Sequence, residues 1–270
     1  MPFTPIRRHG TSAVLAAALL IPLSACGTND TKNEAAGGAK PEPAALATPA
    51  TDLLVLAASS LTDVFNTAAT AYEKKHPDTK IKFYFAGSQE LAAQVNQGAP
   101  VDTLVTADTR TMNSLRGDTN TPTIIATNRL VIATAEGNPA KIKNLKDLAD
   151  PNLKVALAAP EVPIGRYSRE ILDAQDIEVK PASLETSARA VLRRVKLGKA
   201  DAGLLYKTDA ETVRGKVDAI EIPDAQNTIA RYPAATIRDA ENPSEAAAFV
   251  KWLSSPEAQK ILQDAGFQKP

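Results

Sequence analysis

The chain has 270 residues, and its 31 basic residues balance its 31 acidic residues, so the formal net charge is zero. No run of lysine and arginine suggests a nucleic-acid partner. The sequence contains two histidines and one cysteine, which allows no internal disulfide and provides few ligands for a metal cation. No Ser-His-Asp or Cys-His set is available, so we do not expect an enzyme.

The first 26 residues are typical of an export signal. Arg7 and Arg8 precede a short apolar stretch, residues 12–23, with about half of the length that a membrane span needs. The stretch ends in Leu23-Ser24-Ala25-Cys26, which resembles the lipobox of bacterial lipoproteins. This resemblance implies cleavage before Cys26 and acylation of its thiol. The alternative is an ordinary secretory signal with an incidental cysteine.

Residues 27–51 are predicted to form a flexible linker, because they are rich in Ala, Pro, Gly, Thr and Asn and nearly lack large apolar side chains. A flexible chain of this length has a mean reach of roughly 25–30 Å. Residues 52–270 are enough for one large or two modest domains. No later segment is long and apolar enough to span a membrane.

The body of the chain alternates short apolar runs with amphipathic segments. Strands are predicted at residues 53–58, 81–85, 103–107, 130–135, 155–159 and 202–205. Helices are predicted at residues 60–75, 88–97, 187–197, 244–253 and 256–266. Such alternation favours an α/β fold with parallel sheets that helices cover on both faces.

A strand that leads directly into a serine and a helix occurs twice. Residues 53–58 precede Ser59-Ser60, and residues 81–85 precede Ala86-Gly87-Ser88. Free N–H groups at a helix N-terminus can hold an anion, and ligands of open α/β sheets lie at the carboxyl ends of the strands. The alternative is that both serines only cap their helices, Ser60 in a capping-box-like start with Asp63.

Several short motifs resemble, in order and spacing, those of periplasmic molybdate-binding proteins, the solute receptors of molybdate ABC transporters. The motifs are Ala57-Ala58-Ser59-Ser60-Leu61-Thr62, Phe85-Ala86-Gly87-Ser88-Gln89-Glu90-Leu91-Ala92, Gln97-Gly98-Ala99-Pro100-Val101-Asp102, Thr106-Ala107-Asp108, Val162-Pro163-Ile164-Gly165, Gly203-Leu204-Leu205-Tyr206 and Ala265-Gly266-Phe267. The resemblance extends over residues 52–270. It implies a type II periplasmic-binding-protein fold, in which two α/β lobes are joined by a two-strand hinge and close on a ligand in the cleft.

On this basis we expect lobe one at residues 52–126 plus 233–270 and lobe two at residues 127–231. The two hinge crossings are expected at residues 128–134 and 232–237.

The resemblance also implies a ligand site, because the family holds a tetrahedral dianion with two serines, two backbone amides and a tyrosine hydroxyl. By position these are Ser60, Ser88, Ile164, Ala188 and Tyr206, with Ser59 as a possible secondary contact. The family more often has a small residue where this chain has Ile164, so we expect its side chain to tighten or reshape the pocket. No cofactor is implied, and the metal is bound only as its oxyanion.

Four charged residues lie near these positions. Arg166 and Arg189 are expected to be solvated or paired at the rim of the cleft rather than to contact the ligand. Asp102 and Asp108 flank a predicted strand and are expected to accept hydrogen bonds from backbone N–H groups.

Tyr206, without the resemblance, would be interpreted as a tyrosine at the edge of the core.

The resemblance implies a monomeric, exported receptor, held to the outer face of the cell membrane by a lipid on Cys26, that captures molybdate and delivers it to an ABC permease. Tungstate, nearly equal in size and charge, is expected to bind too. Molybdate is fully deprotonated at neutral pH and suits a pocket of donors, which disfavours hydrogen phosphate. The alternatives are a receptor for tungstate, sulfate or another oxyanion and, from a different class, an anion-handling transferase or sensor domain on the same fold.

Overall fold

The computed structural model describes residues 50–270. Nine strands and eight α-helices occur within this range. The strands are β1 (Thr51–Ala58), β2 (Thr79–Ala86), β3 (Thr103–Val105), β4 (Thr123–Ala135), β5 (Val155–Ala158), β6 (Ser183–Glu185), β7 (Ala202–Tyr206), β8 (Val217–Glu221) and β9 (Ile229–Thr236). The helices are α1 (Thr62–Lys75), α2 (Ser88–Asn96), α3 (Thr109–Ser114), α4 (Pro163–Asp173), α5 (Ala188–Lys196), α6 (Lys207–Glu211), α7 (Pro243–Leu253) and α8 (Pro256–Asp264). The predicted signal, residues 1–26, and the linker up to residue 49 lie outside the described residues.

The strands form one continuous path in the order β2-β1-β3-β9-β4-β7-β5-β6, and β8 also pairs with β4. Strand β1 runs parallel to β2 and β3, and β5 runs parallel to β6 and β7. Strand β9 is antiparallel to β3 and β4, and β4 is antiparallel to β7 and β8. Two parallel groups are therefore connected through β4 and β9.

Strand β4 belongs to both groups. Its residues 123–129 pair with β9, whereas its residues 130–135 pair with β7 and β8. We use "lobe one" for β1–β3, β9 and the first part of β4 with α1–α3, α7 and α8. We use "lobe two" for the second part of β4 and β5–β8 with α4–α6. The architecture is the two-lobe α/β fold expected from the sequence.

The core strands are apolar runs that are buried on both faces, as parallel sheets require. All four residues of β5 are buried, and so are all five of β7. In lobe one, aromatic side chains pack between the helices. Tyr72 of α1 contacts Phe249 of α7 edge-on, with the ring centroids 5.2 Å apart. Burying one such large side chain contributes roughly 1.5–3 kcal/mol. No helix within residues 50–270 is both long and apolar enough to cross a bilayer.

The six predicted strands are present, but the prediction was incomplete. Strand β4 begins at Thr123 rather than at residue 130, because Thr127 and Asn128 interrupt the apolar pattern of its first part. Strand β9 was expected only as a hinge crossing, at residues 232–237. Strands β6 and β8 and the helices α3, α4 and α6 were not predicted. Most of these elements are only three to six residues long, which is too short for a periodic pattern of apolar residues to be recognised.

Candidate functional site

A narrow pocket lies where the carboxyl ends of β1, β2 and β7 meet the N-termini of α2, α4 and α5. Its lining residues are Ala58, Ser59, Ser60, Ala86, Gly87, Ser88, Ala107, Val162, Pro163, Ile164, Ala188 and Tyr206. All five residues that the sequence predicted as ligand contacts are in this set. None of the lining side chains carries a charge, so the polar groups available to a ligand are hydroxyls and backbone amides.

Ser60 lies in a single 3-10 turn, Ser59–Leu61, that separates β1 from α1. The extra turn makes Leu61 the N-cap residue of α1, and no side chain caps that helix. The expected capping-box start is therefore wrong. The Ser60 hydroxyl is buried and lies 3.1 Å from the hydroxyl of Tyr232, while Asp63 pairs with Arg189 of lobe two.

Ser88 is the first residue of α2, and Gly87 is the N-cap residue. The interpretation of Ser88 as a simple cap is therefore wrong as well. Its Oγ accepts a hydrogen bond of 3.0 Å from the backbone N–H of Ala107, in the loop after β3. Because that bond uses a lone pair, the hydroxyl hydrogen of Ser88 remains able to donate into the pocket.

Ile164 and Ala188 bring the N-termini of α4 and α5 to the pocket. They are the second residue of α4 and the first of α5, so their N–H groups have no partner within their own helices. The positive end of each helix dipole faces the same space. Ile164 belongs to the buried hydrophobic core and also lines the pocket.

The approach of α4 depends on Gly165. A Cβ atom there would lie only 2.6 Å from the carbonyl oxygen of Ala158, the last residue of β5. Any larger residue would push the first turn of α4 away from the strand end. The glycine therefore positions the Ile164 N–H at the pocket.

Tyr206 is the last residue of β7 and is almost completely buried. Burial raises the pKa of its hydroxyl well above the ordinary value, so the group stays protonated and can donate. Among residues 50–270 this hydroxyl has no hydrogen-bond partner. It is the polar side-chain atom of the pocket that most clearly lacks one.

Two arginines join the lobes beside the pocket. Arg166 of α4 donates from Nε to Asp108 Oδ2 at 2.9 Å and from Nη2 to the Thr111 hydroxyl at 2.8 Å. Arg189 of α5 pairs with Asp63 of α1. Neither arginine lines the pocket, and both are paired at its rim, as the sequence predicted.

The two aspartates also behave as expected. Asp102 accepts hydrogen bonds from the backbone N–H groups of Leu54 and Asn242, at 2.8 and 2.9 Å. Asp108 accepts from the N–H of Thr111 at 2.9 Å and so caps α3. Both carboxylates are thus engaged by backbone donors.

A further carboxylate lies behind the rim. Asp209 of α6 is fully buried, and Arg189 Nε lies 2.7 Å from its Oδ1, although the N–H is not aimed at that oxygen. Burial raises the pKa of Asp209 to about 6, and the nearby Arg189 opposes that rise. This side chain therefore titrates in mildly acidic solution.

The sequence did not identify the side chains behind Ser60. Tyr232 of β9 and Asn128 of β4 are buried, and Asn128 Nδ2 lies 3.4 Å from the Tyr232 hydroxyl. Both were expected only as parts of the hinge. The available signal was a polar amide inside an otherwise apolar strand, because a buried amide requires hydrogen-bond partners.

Two lobes with a donor-lined pocket between them are typical of extracellular solute-binding proteins. Residues 53–268 match the family model for bacterial extracellular solute-binding proteins. The chain is 37% identical over 269 residues to the molybdate-binding protein ModA of Mycobacterium tuberculosis, an alignment that covers 98% of this chain and all of that protein.

Solved structures agree on the fold. The periplasmic molybdate-binding protein of Azotobacter vinelandii superposes with a TM-score of 0.68 at 21% identity, over 81% of this chain and 99% of that one. The sulfate-binding protein SubI of M. tuberculosis has a TM-score of 0.72 at 17% identity, over 81% and 87%. At such identities the structures demonstrate a shared fold and not a shared ligand.

The chain belongs to the family of bacterial extracellular solute-binding proteins, and it is a relative of ModA of M. tuberculosis. Its predicted two-lobe fold is confirmed. Members of this family bind solutes for transport, so the protein is a binding protein rather than an enzyme.

Proposed function

We propose that this protein is an extracytoplasmic receptor that captures molybdate and delivers it to the permease of an ABC transporter. The observation that carries the proposal is the Tyr206 hydroxyl, which is buried at the pocket without a partner. A buried hydroxyl left unpaired costs about 1–3 kcal/mol. An anion oxygen in the pocket would remove that cost.

The other polar groups support a tetrahedral dianion. Ser60 and Ser88 line the pocket from lobe one, and Ile164 and Ala188, whose N–H groups have no partner within their own helices, line it from lobe two. Each hydrogen bond from a neutral donor to an anion contributes roughly 1.5–3 kcal/mol. Five such donors, with two helix N-termini, can hold two negative charges without a cationic side chain.

No lining residue has a carboxylate or a side-chain amide, which favours a fully deprotonated ligand. A protonated oxyanion would direct its own hydrogen at a donor and leave both unpaired. Molybdate and tungstate meet this requirement near neutral pH. Sulfate does so too, and it differs from them in size.

We propose that the lobes close on the ligand about the two connecting strands. The proposed boundaries are residues 52–126 plus 233–270 for lobe one and 127–231 for lobe two. Strand β4 changes its partner from β9 to β7 and β8 between residues 129 and 130, within three residues of the proposed boundary, which supports a division in this part of the strand. The rim pairs of Arg166 with Asp108 and of Arg189 with Asp63 would form as the lobes meet.

We also propose that the mature protein is a monomer tethered to the outer face of the cell membrane through a lipid on Cys26. The support is the sequence Leu23-Ser24-Ala25-Cys26 after a short apolar stretch, followed by a linker of low complexity. These residues lie outside the part of the chain that the structure describes.

Isothermal titration of the purified protein with molybdate, tungstate, sulfate and phosphate tests the ligand. We expect a single site for molybdate and tungstate, and no heat with phosphate. A thermal-shift series should rank the same ions, since a ligand that binds only the folded state raises the melting temperature. Binding of sulfate in preference to molybdate would identify a sulfate receptor instead. No response to any of the four ions would contradict the proposal.

A further inference from the structure

Both pocket serines have a hydrogen-bond partner elsewhere in the protein. Ser88 Oγ accepts from the backbone N–H of Ala107 at 3.0 Å, which fixes the direction of that bond. Ser60 Oγ lies 3.1 Å from the Tyr232 hydroxyl, where either oxygen could donate. The direction of the second bond depends on what else Tyr232 contacts.

Asn128 determines that direction. Its Oδ1 accepts a 2.9 Å hydrogen bond from the N–H of Arg129, so its amide orientation is set by an obligate donor. Its Nδ2 then faces the Tyr232 hydroxyl at 3.4 Å and the Thr208 hydroxyl at 2.8 Å. An amide nitrogen only donates, so the Tyr232 oxygen accepts from Asn128, and of its two hydrogen-bond partners only Ser60 can accept the Tyr232 hydrogen.

We propose that Tyr232 is a positioning residue that fixes Ser60 as a hydrogen-bond donor to the bound oxyanion. The inference rests on the proposed function. Hydrogen bonds then run in one direction, from the Asn128 amide to Tyr232, from Tyr232 to Ser60, and from Ser60 into the pocket. Asn128 and Tyr232 lie on β4 and β9, the two strands that connect the lobes.

The arrangement gives the Ser60 hydroxyl a fixed direction of donation, which a free hydroxyl lacks. For Ser60 to give its hydrogen to Tyr232 instead of to the ligand, Tyr232 would have to accept from both Ser60 and Asn128. Neither of these hydrogen-bond partners could then accept the hydrogen of Tyr232. A dianion therefore finds a hydrogen of Ser60 already directed towards it.

A double-mutant cycle of Tyr232→Phe and Ser60→Ala, with molybdate as the titrant, tests this inference. Phenylalanine keeps the edge-on packing of the ring against Tyr206 and Phe267, at centroid distances of 5.8 and 5.4 Å. Tyr232→Phe should raise the dissociation constant about threefold to tenfold in the parent, since a single neutral hydrogen bond contributes about that much. In the Ser60→Ala background the same change should have almost no effect.

Tyr72→Phe is the matched control, since Tyr72 is an equally buried tyrosine in lobe one that does not line the pocket. It should leave the dissociation constant within twofold of the parent. If Tyr232→Phe does not fold, Asn128→Ala provides the second test. It frees Tyr232 to turn its hydrogen away from Ser60, so it should weaken molybdate binding only when Ser60 is present.

The possible failures are distinguishable. A parent that binds no molybdate would overturn both the proposed function and this inference. A second outcome would overturn the inference alone. In it, the parent binds molybdate, and Tyr232→Phe lowers the affinity equally with and without Ser60. Tyr232 would then act on the pocket through packing. An unchanged dissociation constant in Tyr232→Phe would overturn it as well.

Discussion

Gly87 of lobe one and Thr186 of lobe two meet across the cleft so closely that a Cβ atom on Gly87 would overlap the Thr186 carbonyl oxygen. The same oxygen accepts a hydrogen bond of 2.8 Å from Gln89 Nε2. Gly87 is the N-cap residue of α2, and Thr186 lies two residues before α5 begins. The missing side chain thus lets two helix N-termini converge on the pocket from opposite lobes.

Gly87→Ala should therefore hinder closure of the lobes without damaging either one. The backbone angles of Gly87, φ −64° and ψ 140°, suit alanine, so the melting temperature without ligand should barely change. The dissociation constant for molybdate should rise about tenfold or more, which is about 1.4 kcal/mol. Gly117→Ala is the control, because a Cβ there meets no atom within 4 Å. Parent-like affinity in Gly87→Ala would show that close contact at Thr186 is not needed for binding.

Tyr206→Phe should weaken molybdate binding without destabilising the free protein. The change removes a buried hydroxyl that has no partner in lobe one or lobe two, so the melting temperature without ligand should stay level or rise slightly. Loss of a hydrogen bond to the anion should cost roughly 1–3 kcal/mol, or about tenfold to a hundredfold in affinity. Calorimetry and a reduced ligand-induced thermal shift measure the effect. Molybdate affinity equal to that of the parent would make Tyr206 a packing residue.

The sequence predicted the fold and the lining of the pocket well because both are encoded locally. The strand-to-helix junctions at Ser60 and Ser88, and the tyrosine that ends β7, are visible as short motifs. The hydrogen-bond partners of the two serines were not predicted, because they are distant in the sequence. Ser60 and Tyr232 are 172 positions apart, and Ser88 accepts from the N–H of Ala107 rather than from an N–H of its own helix. Both serines looked like helix caps because local spacing alone cannot show which backbone donor a hydroxyl meets.

Ser88→Ala should affect both stability and binding. It leaves the buried N–H of Ala107 without its acceptor, which should lower the free energy of unfolding by about 1–3 kcal/mol, and it removes one donor to the anion. Urea unfolding and calorimetry measure the two effects separately. Ser255→Ala removes an N-cap from α8, where Ser255 Oγ accepts from the Ala258 N–H at 3.3 Å, and should lower stability alone. Equal molybdate affinity in both variants would remove Ser88 from the site.

Cys26→Ala should prevent lipid attachment. The precursor should then remain uncleaved by lipoprotein signal peptidase, or the protein should be released in a soluble form. Fractionation of cells that express parent and variant, with labelled fatty acid to detect acylation, measures this outcome. Mature variant protein that stays in the membrane fraction would contradict the lipobox interpretation.

Asp209 should make stability depend on pH in mildly acidic solution. Its pKa is about 6 in the folded protein and 3.8 in the absence of structure, because burial disfavours the carboxylate. Between these values the folded state holds a proton that the unfolded chain has lost. The contribution of Asp209 to stability is therefore largest at low pH, falls as the pH rises from about 4 to about 6, and is level above that.

Asp209→Asn isolates this dependence, since asparagine keeps the shape of the side chain and does not titrate. The melting temperature of the parent minus that of the variant should fall as the pH rises through this window. Taking the difference cancels the pH dependence that comes from the carboxylates that the two proteins share. The same measurement on Asp63→Asn shows the effect of the exposed carboxylate that also pairs with Arg189. A difference that instead rises with pH would mean that Arg189 outweighs burial and holds the pKa of Asp209 below its ordinary value.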